Sequence, residues 1–173
     1  IDHPWYYKGY IQNEVRKIPK WVILINRKIF LNKSVKFNSF KKVFLDRSTS
    51  KFNHCKIFNQ SSLNNWLKKK GFGIYTPEKL SQEKQIYLFK NASIIIGAHG
   101  AALTNIVFCK PGTKVIEIIP ADHPNKKCER ISKILKLRYF RIKTKPDNSD
   151  KNFPFKIHLN KRHLKIINDK INL

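Results

Sequence analysis

Residues 94–120, IIIGAHGAALTNIVFCKPGTKVIEIIP, constrain the fold more than any other part of the chain. Two apolar runs without polar alternation flank a glycine-bounded histidine and a small-residue segment. Uninterrupted apolar runs of this length, bounded by turn residues, read as strands buried on both faces. The stretch therefore predicts a strand over 93–97, a helix over 101–108, a turn at Pro111-Gly112 and a second strand over 114–119. In a parallel sheet, such a unit delivers backbone N–H groups and a helix N-terminus to the carboxyl edge of the strands. That edge is where α/β folds hold phosphorylated ligands.

The rest of the chain repeats the alternation. Residues 1–20 read as irregular, with Pro4 and Pro19 around the aromatic cluster Trp5, Tyr6, Tyr7 and Tyr10. Residues 21–25 and 28–31 read as strands, as does 43–45. A helix capped by Ser61 or Ser62 runs through Leu63, Trp66 and Leu67 to Gly71, a left-handed stop. Residues 72–75 form a short strand. Ser81 opens a helix whose apolar face is Ile86, Leu88, Phe89 and Ala92. A helix over 128–137, a strand over 138–142, a polar loop over 144–152, a strand over 155–159 and a helix over 161–171 complete the pattern. Alternating strands and helices imply a parallel sheet covered on both sides. The expectation is an α/β protein, a Rossmann-like parallel sheet with helices on both faces. Residues 1–41 would be a connector and the remnant of an upstream domain, and 42–173 the folded domain.

Length and composition bound the function. At 173 residues, 41% hydrophobic and 12% aromatic, the chain can bury a core. Lys and Arg total 36 against 11 Asp and Glu, a net charge of +25. That excess points to polyanions: phosphorylated substrates, an anionic membrane face or nucleic acid. The lysines are scattered among Asn and Ile and the aromatics sit inside apolar segments, so a dedicated nucleic-acid surface is the weaker reading. Cys55, Cys109 and Cys128 show neither disulfide nor zinc spacing. A cytoplasmic setting, peripheral to the inner membrane, is expected, and there the Asn32, Asn59 and Asn91 sequons would be silent. The absence of Met and the start at Ile1 suggest a fragment or an excised domain.

Several residues can carry chemistry. Gly97 and Gly100 let the backbone turn sharply off its strand and come close to a ligand, and Ala101 keeps the following helix near the sheet. His99, between the glycines, can touch a phosphate or a leaving group, or it can satisfy a loop carbonyl. Thr104 and Asn105 lie one turn into the helix, and Asn105 is as suited to bracing the loop as to meeting a ligand. Glu117 is the one carboxylate in VIEII and requires a partner, either a ligand hydroxyl or, second, a lysine. Arg47, at the end of the 43–45 strand, suits a diphosphate because its planar fork binds two oxygens, although Asp46-Arg47-Ser48-Thr49 also reads as a simple capped turn.

Taken together, VFLDR (43–47), FNQ (58–60), KKGFGIYTPEKLSQEKQIYLFKNA (69–92) and the 94–120 stretch resemble glycosyltransferase family 61 over roughly residues 42–142. One departure is Gln60, where the family usually has Glu. The resemblance implies an inverting transferase of GT-B-like architecture that builds polysaccharide, in capsules among other settings. This chain would be its C-terminal, donor-binding half. It implies a nucleotide-sugar donor, UDP-linked by preference, a glycan acceptor, a missing N-terminal domain and no metal, in keeping with the lack of an Asp-x-Asp motif. By that analogy Arg47 and the Gly97–Ala101 loop would hold the diphosphate. His99 and Asn105 would line the donor pocket, and Glu117 would contact ribose or sugar. The catalytic base is expected from the opposite domain, so no catalytic residue is assigned and the fragment alone would be inactive. A basic α/β module that binds nucleic acid without catalysis is the competing reading.

Overall fold

The computed structural model describes residues 19–49, 55–121, 123, 125–145 and 156–173. Five parallel strands form one sheet: β1 (Lys42–Leu45), β2 (Gly73–Tyr75), β3 (Ile94–Ala98), β4 (Lys114–Pro120) and β5 (Arg138–Thr144), in the order β2-β1-β3-β4-β5. The chain moves outward from β1 to β2, then crosses back over β1 to begin β3. The direction of winding reverses between β1 and β3, and the carboxyl ends of those strands form the crevice that doubly wound sheets use for ligands.

Helices cover both faces. On one side, α1 (Lys20–Phe30), α3 (Gln82–Asn91), a 3-10 helix (Ala101–Phe108) and α4 (Lys127–Ile134) pack Ile23, Phe89, Ile106 and Ile131 against Leu45, Ile95 and Val115. On the other, α2 (Gln60–Lys69) and α5 (Lys161–Asn172) pack Leu67 and Ile167 against Phe44, Ile96 and Ile116. Consecutive strand residues thus feed opposite core layers, which explains why the strands lack a polar alternation. Fully burying one such side chain contributes about 1.5–3 kcal/mol, so Ile96→Asp would disrupt the sheet.

Local signals are used largely as expected. Ser81 caps α3 by accepting from Lys84 N, and Gly71 ends the α2 turn at φ 78°. Asn160 and His163 form a reciprocal cap on α5. Three expectations are corrected. Residues 21–25 and 28–31 are not strands: 21–30 lie in the single helix α1, inside which the Asn26 side-chain amide donates to Val22 O at 2.8 Å, and Leu31 opens a short 3-10 helix. A short apolar run does not by itself separate helix from strand, and tertiary packing decides. Ser61 and Ser62 lie inside the first turn of α2 rather than capping it. Asn59 precedes the helix, and its side-chain amide donates to Leu159 O at 2.9 Å. Finally, the described part of 155–159 pairs Ile157 with Ile57 in an isolated parallel bridge and forms no strand of the described sheet. Of the segment 1–20 expected to be irregular, residues 1–18 lie outside the described residues and Lys20 begins α1; most of the expected 144–152 loop also lies outside them.

Candidate functional site

Register places the site. Leu45, Gly97, Glu117 and Arg141 stand side by side across β1, β3, β4 and β5. The chain leaves β3 through Ala98 and His99, whose N–H extends the ladder to Ile118 O at 2.8 Å. Gly97 has no Cβ where one would lie 3.3 Å from Leu45 Cβ, so β1 and β3 pack closely just below the loop.

Arg47 leaves β1 at the same level and reaches across the crevice. Its Nη1 donates to the carbonyl oxygen of His99. A Cβ at Gly100 would fall 2.1 Å from that nitrogen, so the guanidinium occupies the space a side chain would need. A side chain at position 100 would therefore have to push the Arg47 guanidinium aside. Burial depresses the Arg47 pKa, a shift that Cys55 and Glu78 oppose. The simple-turn reading of 46–49 also holds: Asp46 Oδ1 accepts from Ser48 N at 2.7 Å, an Asx turn. Asp46 Oδ2 accepts from Asn64 Nδ2, and Asn64 Oδ1 accepts from Gln60 Nε2, each at 2.9 Å. Gln60 is thus the outer link of a relay from α2 to the turn carrying Arg47.

Glu117 finds its partners inside the protein, and none of the three is a lysine. At 1% exposure it lies 2.6 Å from His99 Nδ1 through Oε1, while Oε2 accepts from the Tyr139 hydroxyl. The Cys128 thiol is a third hydrogen-bonding neighbour. Burial drives the carboxyl pKa upward, but the bonds from His99, Tyr139 and Cys128 outweigh it and hold the pKa below its ordinary value. An ionised carboxylate only accepts, so His99 Nδ1 carries the proton and the ring is oriented by this bond. The tyrosine and cysteine are pushed the other way, first by burial and then by the Glu117 charge, and stay neutral. His99, Glu117 and Cys128 bring ligand atoms within 4.8 Å of one another. With a proton held on the thiol, that trio is chemically a hydrogen-bond network around one carboxylate, and a metal there would have to displace protons. The His99 ring also packs 4.2 Å from the ring of His123, whose carbonyl accepts from Arg141 Nη2 at 2.6 Å.

The helix after the loop is a 3-10 helix, with Ala101 exposed at its start. Asn105 takes the bracing role: its Nδ2 donates to Gln85 Oε1 at 2.8 Å, and Gln85 Nε2 in turn holds Pro77 O and Leu80 O. Thr104 Oγ1 is buried with no hydrogen-bond partner among the described residues. The structure thus gathers Arg47, Gly97, His99, Gly100, Ala101 and Glu117 around one crevice and directs Asn105 away from it, onto α3. Sequence reasoning missed Tyr139, the link from Asp46 to Asn64 and Gln60, and the role of Cys128. Tyr139 is the one signal available, a hydroxyl in a strand-like run, RYFRI, and it becomes informative only once β5 is known to lie beside β4.

The sequence belongs to a known group of proteins. The sequence model of glycosyltransferase 61 matches residues 6–116, well over half of the chain, and the chain belongs to that family. A β-1,2-xylosyltransferase of Arabidopsis thaliana is 42% identical over 60 residues, 35% of this chain and 11% of the relative. The β-1,2-xylosyltransferase RCN11 of Oryza sativa subsp. japonica is 38% identical over 63 residues, 36% of this chain and 12% of the relative. The xylan glycosyltransferase MUCI21 of Arabidopsis thaliana is 36% identical over 67 residues, with 37% and 14% covered. The aligned stretches span little more than a tenth of these relatives' own length. The family match starts earlier than the quoted motifs and stops just short of Glu117, so Cys128 and Tyr139 lie beyond it.

Proposed function

We propose that this chain is the donor-binding part of an inverting, GT-B-like glycosyltransferase that moves a sugar from a nucleotide-sugar donor, UDP-linked by preference, to a glycan acceptor. The supporting observation is the meeting of Arg47 with the His99–Gly100 loop at the reversal point of the sheet, beside a helix N-terminus. Departure of a nucleoside diphosphate concentrates negative charge at one place. A guanidinium, the unsatisfied N–H groups at the start of a helix and its dipole are suited to receive that charge. Arg47 holds a neutral carbonyl in this state, and an anion offers it a stronger, charge-assisted bond. Glu117 is enclosed by protein groups, so its role in this reading is to set the tautomer and tilt of His99, the residue this reading assigns to the donor pocket. Glycosyl transfer also requires a base on the acceptor hydroxyl, which this reading assigns to a part of the enzyme outside the crevice.

Calorimetric titration with UDP, GDP and CMP tests the proposal, repeated on Arg47→Ala and Glu117→Ala. Saturable binding of one nucleotide, lost in Arg47→Ala, supports a donor site. A folded chain that binds none of the three but takes up DNA or RNA with steep salt dependence overturns the proposal and favours the nucleic-acid module.

A further inference from the structure

Helix α1 is apolar at all of its 11 residues except Lys20, Asn26, Arg27 and Lys28. Its inner side is seated: Ile23 is buried, and Arg27 Nη1 donates to the carbonyls of Val107 and of Cys109, the latter at 2.8 Å, at the end of the 3-10 helix remote from Gly100. Its outer side carries Trp21, Leu24, Ile25 and Ile29 at 66%, 44%, 47% and 50% exposure. Their i, i+3, i+4, i+8 spacing puts them on one stripe. Val35 and Phe40, just after the helix, are also more than half exposed. Helices with such an outer face are normally covered.

The chemistry of the surroundings identifies what covers it. From Val15 to Leu45 the sequence contains no acidic residue, while Lys20, Lys28, Lys33, Lys36 and Lys41 are all exposed. A complementary surface must accept aromatic and aliphatic side chains and present negative charge at the rim. A second copy of this chain carries the same +25 and repels it. Nucleic acid offers the charge but no apolar layer. An anionic bilayer offers both, with headgroups for the lysines and the acyl boundary for the stripe. We infer that α1 is an interfacial anchor that lies in the plane of an anionic lipid surface. No helix among the described residues is long and apolar enough to cross a membrane, and an 11-residue helix suits in-plane binding. Because α1 is fastened at Val107 and Cys109, the site loop lies at the far end of the 3-10 helix from the anchor and stays open to ligand.

Co-sedimentation of the full chain with phosphatidylserine/phosphatidylcholine vesicles, against phosphatidylcholine alone, tests the inference. The decisive comparison is Ile25→Asn/Ile29→Asn, which preserves every charge and alters only exposed positions. The expected result is selective binding to the anionic vesicles, weakened by about tenfold or more in the double variant. Trp21 emission should also shift to the blue on binding in a Trp5→Phe/Trp66→Phe background. Equal binding by the double variant would show that charge alone acts and would overturn the inference. So would a wild-type chain that stays in the supernatant, or one that sediments as a dimer without lipid and loses that dimer in the double variant.

Discussion

Two buried carboxylates stand near the carboxyl ends of strands, and they are satisfied in opposite ways. Asp46, after β1, is held by a backbone N–H and by the amide of Asn64, donors that do not titrate. Glu117, in β4, is held by an imidazole, a phenol and a thiol, all of which can exchange protons. The first arrangement is a brace that fixes where Arg47 starts. The second orients a ring and couples β3, β4, α4 and β5 through one charged group. Structural and functional acids are thus separated by the chemistry of their donors rather than by depth.

The comparison is broken most directly at Glu117. Glu117→Ala strands the His99 ring, the Tyr139 hydroxyl and the Cys128 thiol together, and should cost about 3 kcal/mol in a chemical-denaturation midpoint analysis. Glu117 also dictates an acid limb. Its folded pKa lies below the ordinary 4.5, so its contribution is fully present above that value and disappears as pH falls through the lower, folded value. Wild type should lose stability below pH 4.5 with a slope approaching 1.4 kcal/mol per pH unit. Glu117→Gln should lack that portion of the slope. Parallel acid titrations of the two proteins, followed by far-UV circular dichroism, measure the difference, and superimposable curves would show that the network does not depend on the charge.

The two regions communicate through Arg47, and Gly100→Ala severs that link, because the new methyl displaces the guanidinium from the His99 carbonyl. Nucleotide affinity should fall by about tenfold, about 1.4 kcal/mol, with the melting temperature little changed. Tyr139→Phe removes one donor to Glu117 and leaves its carboxylate bonded by His99 and Cys128. A cost of about 1 kcal/mol is expected, together with loss of any alkaline destabilisation due to this phenol, whose pKa lies well above the ordinary 10 in the fold.

Much of this was legible in the residues, and the rest has definite physical reasons. The strand-loop-helix-strand unit of 94–120 was readable because glycines, a Pro-Gly turn and apolar runs all agree, and the parallel sheet followed from it. That Glu117 required a partner also followed, since a carboxylate among four apolar neighbours must be satisfied. Which partner it takes did not follow: His99 is 18 residues away and Tyr139 is 22, and only strand order and register unite them. WVILI is equally a buried strand or a helix of unusual apolarity, so the residues alone predict strands where the protein forms α1. What resolves it is Arg27 reaching the carbonyls at the end of the 3-10 helix, a contact 80 residues long. The sequence suits Asn105 equally to ligand and to brace, and Gln85, on a helix whose distance from the loop no local pattern records, decides for the brace.

The smallest expected effect is the sharpest check on how the two acids differ. In Asp46→Asn the side-chain oxygen that accepts from Ser48 N survives, and the new amide nitrogen faces Asn64. Asn64 can then turn its amide to present oxygen, and Gln60 can turn in response, because every member of this relay carries both a donor and an acceptor. The brace should absorb the change at a cost below about 0.5 kcal/mol, with nucleotide binding unaltered. Glu117 has no such freedom, since its partners are donors set by a ring tautomer, a neutral phenol and a thiol. Paired denaturation curves of Asp46→Asn and Glu117→Gln therefore carry the argument. A small loss in the first and a large one in the second confirms one brace and one oriented, charge-dependent site, and equal losses would make Glu117 a second brace.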